Sequence, residues 1–149
     1  MAQSEISPDL IAAYRSTEYR VAAKVEFGSG TIILRIDEYS EPLSRLFAAS
    51  GHQCAAFITA CNPFGAPRSL KENLAACARL RDKLDRHTAG TVRILEGEGY
   101  DPYGVWPPEK SFLVLGLNLE ASHALGGEFR QNAIVWAGPD AIPGLVLLR

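Results

Sequence analysis

Residues 54–84 read CAAFITACNPFGAPRSLKENLAACARLRDKL, and the fold class follows from how this stretch divides. Residues 55–60 are apolar on both faces, Thr59 being the one polar member, which suits a strand covered on both sides. Asn62-Pro63 ends it, because proline lacks the amide a ladder needs and restricts the residue before it. Ser69 and Glu72 stand at capping-box spacing, so a helix begins near Leu70. Stepping about 100° per residue, Leu70, Leu74, Cys77, Leu80 and Leu84 form one apolar stripe. Asn73 falls within it: the amide either clamps the 62–67 loop or reaches a ligand, and the clamp is favoured because buried polar groups must be satisfied whatever the function. Arg81 borders the stripe, where a carboxylate partner is expected.

Outward from this core, Ser7-Pro8-Asp9 starts a helix ending near Thr17. Residues 19–27 and 31–36 flank Gly28-Ser29-Gly30 as a hairpin. Ser40 caps a helix over 42–50 that buries Leu43, Leu46 and Phe47 and stops at Gly51. Strands are expected at 91–96, 112–117, 132–137 and 145–148, with a short helix over 119–125 ending at Gly126-Gly127. This order predicts an α/β (α+β-like) domain spanning 1–149, a single mixed sheet of about six or seven strands packed with about four helices.

Connectivity then places the strand ends. A strand-helix-strand unit sets its two strands parallel, whereas strands joined without a helix run antiparallel. One rim thus collects Tyr19, Arg20, Asp37, Asn62, Glu98, Glu109, Gln131 and Asn132. Ligands in open sheets tend to lie beyond strand ends. The connection 97–110, GEGYDPYGVWPPEK, carries Tyr100, Tyr103 and Trp106 and has the length of a lid or binding loop; its aromatics either stack on a planar ligand or cap the core. Glu98 and Glu109, at its two mouths, are the candidate acid/base or metal-binding pair, against the plainer reading of exposed carboxylates. Cys61 sits at a strand end before a helix, where a nucleophile can stand, but no histidine is tied to it by sequence. Arg68 and Lys71 flank a helix start that favours an anion, without a phosphate-loop fingerprint.

The chain has 149 residues, 47% hydrophobic and 21% charged, with a net charge of −2. That gives no basic footprint for duplex nucleic acid. No apolar run reaches the ~20 residues of a membrane span, and MAQSEISPDL lacks the build of a signal peptide, so a cytoplasmic location is expected. Cys54, Cys61 and Cys77 read as reduced core thiols. No cofactor or resident metal is indicated by motif.

The segments AFITACNPFGAPRSLKEN, GYDPYGVWPPEKSFLVLG and FRQNAIVW together resemble a bacterial family known as domain of unknown function 3293. The similarity runs from about Tyr14 to Val146. It implies a small cytoplasmic protein and carries over no catalytic residue. That family's pattern often has tryptophan at the position of Cys61, which counts against a nucleophilic thiol. Two functional expectations result. In the first, Asn62, Asn73, Gln131 and Asn132 read the polar edge of a small polar or planar, nucleotide-like ligand, Trp106 covers it and Glu98 or Glu109 supplies charge. In the second, the same residues pin the loop, and the C-terminal IPGLVLLR contributes to a protein interface.

Overall fold

The computed structural model describes residues 4–23, 30–88 and 92–149. Gly28 and Ser29 of the expected hairpin turn lie outside them, as do Gly90 and Thr91. Among the described residues are four α-helices, α1 (Pro8–Ser16), α2 (Glu41–Ser50), α3 (Leu70–Thr88) and α4 (Leu119–Glu128). Seven strands, β1 (Glu18–Ala23), β2 (Gly30–Leu34), β3 (Ala55–Ile58), β4 (Arg93–Tyr100), β5 (Glu109–Leu115), β6 (Ala133–Ala137) and β7 (Gly144–Leu147), join in one sheet of order β2-β1-β4-β5-β3-β6-β7.

Local signals act as their chemistry dictates. Ser7 and Ser40 accept hydrogen bonds from Leu10 N and Leu43 N at 3.2 Å each, and Gly51 closes α2 at φ 79°. Ser69 Oγ accepts from Glu72 N at 3.1 Å, while Glu72 Oε1 accepts from Ser69 N at 3.3 Å. Glu72 thereby occupies the anion position at the start of α3, and its hydrogen bonds to Ser69 lower its pKa.

The helical architecture matches expectation, but every hydrogen-bonded strand pair is antiparallel rather than mixed. The crossovers do return each chain segment in its original direction. β3 and β4 run the same way with β5 between them, and β5 and β6 run the same way with β3 between them. The strand filling each gap runs the opposite way, so no parallel ladder forms among the described residues.

The sheet is curled. Asp37 N donates to Pro143 O at 2.8 Å and Ser40 N to Ala141 O at 2.9 Å, joining the segment beyond the β2 edge to the segment before the β7 edge. The concave face buries Val21, Leu34, Phe57, Leu95, Leu113 and Val135 beneath Leu43, Leu46 and Phe47 of α2. On the convex face, Ile58, Phe112 and Val114 pack against Cys77, Leu80 and Leu84 of α3, with Leu125 of α4 beside them.

Several element ends differ from the sequence reading, and four of them have a tertiary reason. β4 continues through Gly97 and Gly99 to Tyr100, and β5 begins at Glu109, leaving only 101–108 as the tip. A Cβ on Gly97 would stand 2.6 Å from the Arg20 carbonyl oxygen, so the curled neighbour strand demands glycine there. α4 runs through Gly126-Gly127 to Glu128, with Gly126 pressed against Leu148 and Ile134. β3 stops at Ile58, because the Thr59 hydroxyl donates to Lys110 O at 2.6 Å and accepts from Cys61 N at 3.1 Å in place of the ladder.

Candidate functional site

A cavity of about 330 Å³ opens where β1, β3, β4, β5 and β6 meet α1 and the start of α3. Period-two alternation decides which rim residues reach it. Glu109 and Ser111 share the concave face with Leu113, while Lys110 takes the convex face with Phe112. Glu98 pairs in register with Lys110 and with Arg20. Neither Glu98 nor Arg20 lines the cavity. The expected Glu98–Glu109 acid/base or metal pair is therefore not assembled: the two carboxylates lie on opposite faces of the sheet. Among the described residues no group of three metal-ligating side chains converges anywhere. Asp37 is also outside the site, exposed and paired with Arg15 at 2.8 Å.

The structure does bring together Asn62, Asn73, Trp106, Glu109 and Gln131 around the cavity. Asn62 is the hub. Its side-chain oxygen accepts from Arg68 N at 2.9 Å and from Asn73 Nδ2 at 3.0 Å, its Nδ2 donates to Glu109 Oε2 at 2.8 Å, and its backbone N donates to Asn73 Oδ1 at 2.9 Å. Asn73 is thus the loop clamp. The loop it holds contains two non-glycine residues in the left-handed region, Asn62 at φ 47° and Phe64 at φ 54°. Asparagine tolerates that region; phenylalanine does so only where its surroundings impose it. Those surroundings are the Arg130 carbonyl, which accepts from Phe64 N at 2.7 Å, and the Arg149 guanidinium, 4.3 Å above the Phe64 ring.

Gln131 is 7% exposed and donates through Nε2 to Cys61 O at 3.1 Å and Phe129 O at 3.3 Å. Asn132 does not line the cavity; it supports it, donating to the Tyr14 hydroxyl at 3.1 Å and accepting from Arg149 at 3.0 Å. Tyr14 is a wall residue the sequence reading passed over. The signal was available, because Leu10 and Tyr14 are four apart on α1 and both face the cavity. Phe57 and Tyr19 form another wall, ring centroids 5.2 Å apart and edge to face. Tyr100 stacks instead under Arg20, 3.6 Å from the guanidinium, away from the cavity.

Burial raises the pKa of Glu109, and its hydrogen bond from Asn62 only partly opposes that. Burial likewise pushes up the Tyr14 and Tyr19 hydroxyls. Cys61 and Cys77 face each other with sulfurs 3.6 Å apart, and the hydrogen bond to Cys77, with burial second, pushes the Cys61 thiol up. The same contact lowers Cys77 as it raises Cys61, and it is the burial of both sulfurs that counts against either as an accessible nucleophile. Cys54, expected in the core, is half-buried against Leu117 O.

At the mouth, the Asp101 carboxylate accepts from the backbone amides of Tyr103, Val105 and Trp106 at 2.9, 2.9 and 3.1 Å, which lowers its pKa and organises the tip. Leu70 and Leu74, expected in the buried stripe, are instead 74% and 47% exposed and border the mouth. The α3 stripe packs on the sheet only from Cys77 onward, since its first turns project beyond the strand ends.

The family model described as Protein of unknown function (DUF3293) matches residues 58–134, more than half of the chain. The chain belongs to this family. No curated protein and no solved structure matches it. The DUF3293 match spans Asn62, Asn73, Trp106, Glu109, Gln131 and Asn132, whereas Tyr14 and Tyr19 lie before it. No helix among the described residues is long and apolar enough to cross a membrane.

Trp106 is 51% exposed, so Trp106→Ala is expected to cost no more than about 1 kcal/mol of stability in denaturant melts, against about 3–5 for a buried tryptophan. Glu109→Gln keeps an acceptor for Asn62 and removes the charge. Because the folded pKa of Glu109 lies above its ordinary 4.5, the folded chain holds the proton longer. Wild-type stability therefore falls as pH rises through that raised value. The glutamine variant is expected to match wild type below the ordinary glutamate range and to exceed it at neutral pH. Urea melts across pH check this; a variant less stable at neutral pH than in acid, relative to wild type, contradicts it.

Proposed function

We propose that this protein binds a small planar or polar molecule in the rim cavity, in the cytoplasm, where three free thiols are at home. The observation that carries this reading is Glu109: a carboxylate at a cavity wall whose one hydrogen-bond partner among the described residues is an uncharged amide. A purely structural buried acid is normally paired with a cation. Here Arg81 goes to Asp85 and Glu96, and Arg20 goes to Glu18. Apolar walls with few convergent polar groups are the usual build of a ligand site. The polar edge is read by Glu109 and Gln131, held in place by the Asn62–Asn73 clamp, and Trp106 covers the mouth.

The reading is tested by filling the cavity. Gly99 lines it, and a Cβ there meets nothing closer than Thr17 Cγ2 at 3.8 Å, so Gly99→Leu projects its side chain into the cavity space. A ligand found by thermal-shift screening and supplied at 100 times its Kd stabilises wild type by about 2.7 kcal/mol. That gain is expected to vanish in Gly99→Leu while the apo variant still unfolds cooperatively. A gain that survives places the ligand elsewhere.

A protein-interaction module is the second reading, and the exposed Leu70, Leu74 and Val105 beside Trp106 are what favours it. The C-terminal segment adds less than its sequence suggested. Gly144–Leu147 pairs with β6, and Leu145 and Val146 pack on opposite cores.

A further inference from the structure

We infer that the ligand is an organic cation: an ammonium group carried on a flat or aromatic body, with the Glu109 carboxylate as counter-ion and the rings of Tyr14, Tyr19, Phe57 and Trp106 as walls. This rests on the ligand-site reading above and adds to it the sign and hydrogen-bonding character of the ligand.

The charge inventory points this way. Lys110 turns its ammonium to the outer face, 3.2 Å from Glu96. Arg149 is committed to Asn132, to Glu5 at 3.2 Å and to the Phe64 ring. Arg68 is exposed at the mouth, its backbone amide bonded to Asn62. Asp101 is also at the mouth, with its oxygens already accepting three amides. Glu109 is left as the charge on the inner wall with no ionic partner among the described residues.

The hydrogen-bond inventory agrees. Four of the five hydroxyls lining the cavity donate to backbone carbonyls: Thr17 to Ala13 O at 2.8 Å, Tyr19 to Tyr14 O at 2.6 Å, Thr59 to Lys110 O at 2.6 Å and Ser111 to Glu109 O at 3.1 Å. The Tyr14 hydroxyl, which accepts from Asn132, is the fifth. Against this, Glu109 Oε1 and the Gln131 side-chain oxygen accept no hydrogen bond from any described residue. Two acceptors on the inner wall, one of them on the carboxylate, thus stand open, and an ammonium with its N–H groups complements them. Aromatic faces attract a cation through their quadrupole, most strongly where water is excluded, and they stack on a flat body equally well.

Three probes of one shape and different charge test this: benzylamine, benzyl alcohol and benzoate, titrated into the whole chain and followed by the NMR shift of the Trp106 indole. Benzylamine is expected to bind about tenfold or more tighter than benzyl alcohol, with benzoate excluded. Glu109→Gln is expected to bring benzylamine down to the level of benzyl alcohol without changing the alcohol. If the alcohol binds as well as the amine, or benzoate binds best, the cation inference falls and the ligand cavity stands. If none of the three moves the Trp106 indole at tens of millimolar, both readings fall. The comparison of probes on the wild-type chain decides the matter even if the variant does not fold.

Discussion

Alanine in place of Asn62 is expected to lower the unfolding free energy by about 3–4 kcal/mol. Three side-chain hydrogen bonds disappear with it, to Arg68 N, Asn73 Nδ2 and Glu109 Oε2. Each contributes about 0.5–1.5 kcal/mol net, and the bond to a charged carboxylate stands at the upper end. The backbone adds to this, because φ is 47° at this residue and alanine lacks the local hydrogen bonding that lets asparagine adopt the left-handed region. The expected signature is a lower urea midpoint at unchanged m-value. Asn62→Gly is expected to recover part of the loss, since glycine removes only the backbone component. The clamp also positions Glu109, so under the proposed ligand reading the affinity per folded molecule is expected to fall as well. A loss below 1 kcal/mol would mean that the 62–67 loop is held by other contacts.

Gly97→Ala carries the second large effect, about 2–3 kcal/mol, and for an unrelated reason. The added Cβ would stand 2.6 Å from the Arg20 carbonyl oxygen and 3.1 Å from a Phe57 ring carbon. Neither is the free end of a flexible chain. Relief requires β1 and β4 to separate at the Val21–Gly97 pair, on the concave face of the curl. Gly99→Ala, two residues on and on the same face, is the internal control, because its Cβ meets an ordinary 3.8 Å contact. Melts of the two variants side by side distinguish a packing clash from a general intolerance of side chains in β4; equal losses would assign the effect to strand flexibility instead.

Much of the candidate site was legible because strand direction follows from connection type alone. A helix between two strands returns the chain the same way, and a tight or hairpin connection reverses it. That reasoning sent Asn62, Glu109 and Gln131 to one rim even though it mistook which strands are neighbours. Its weak point was the face. Glu98 and Glu109 are both at the rim, but their facing depends on the β4–β5 register, which a loop of assumed length 97–110 cannot supply. Once Gly97 and Gly99 are inside the strand, Glu98 pairs with Lys110, and Glu109 is necessarily on the other face.

What the sequence by itself determined is whatever depends on neighbours in the chain: the Ser7, Ser40 and Ser69 caps, the doubly covered strand at Ala55–Ile58 and the clamp role open to Asn73. These are interactions across three to eleven residues, or patterns of burial, and local chemistry suffices to place them. The tertiary structure alone decided the rest. The curl makes glycine necessary at Gly97, yet in the sequence that glycine reads as loop, because its cause is the backbone of a strand some seventy residues away. Leu70 and Leu74 match the stripe that Cys77, Leu80 and Leu84 bury, but the sheet ends beneath the first turns of α3, and a periodic pattern does not say how far its partner surface extends. Tyr14 and Glu109 come to the same cavity from opposite ends of the chain, and only packing could bring the aromatic walls to the carboxylate.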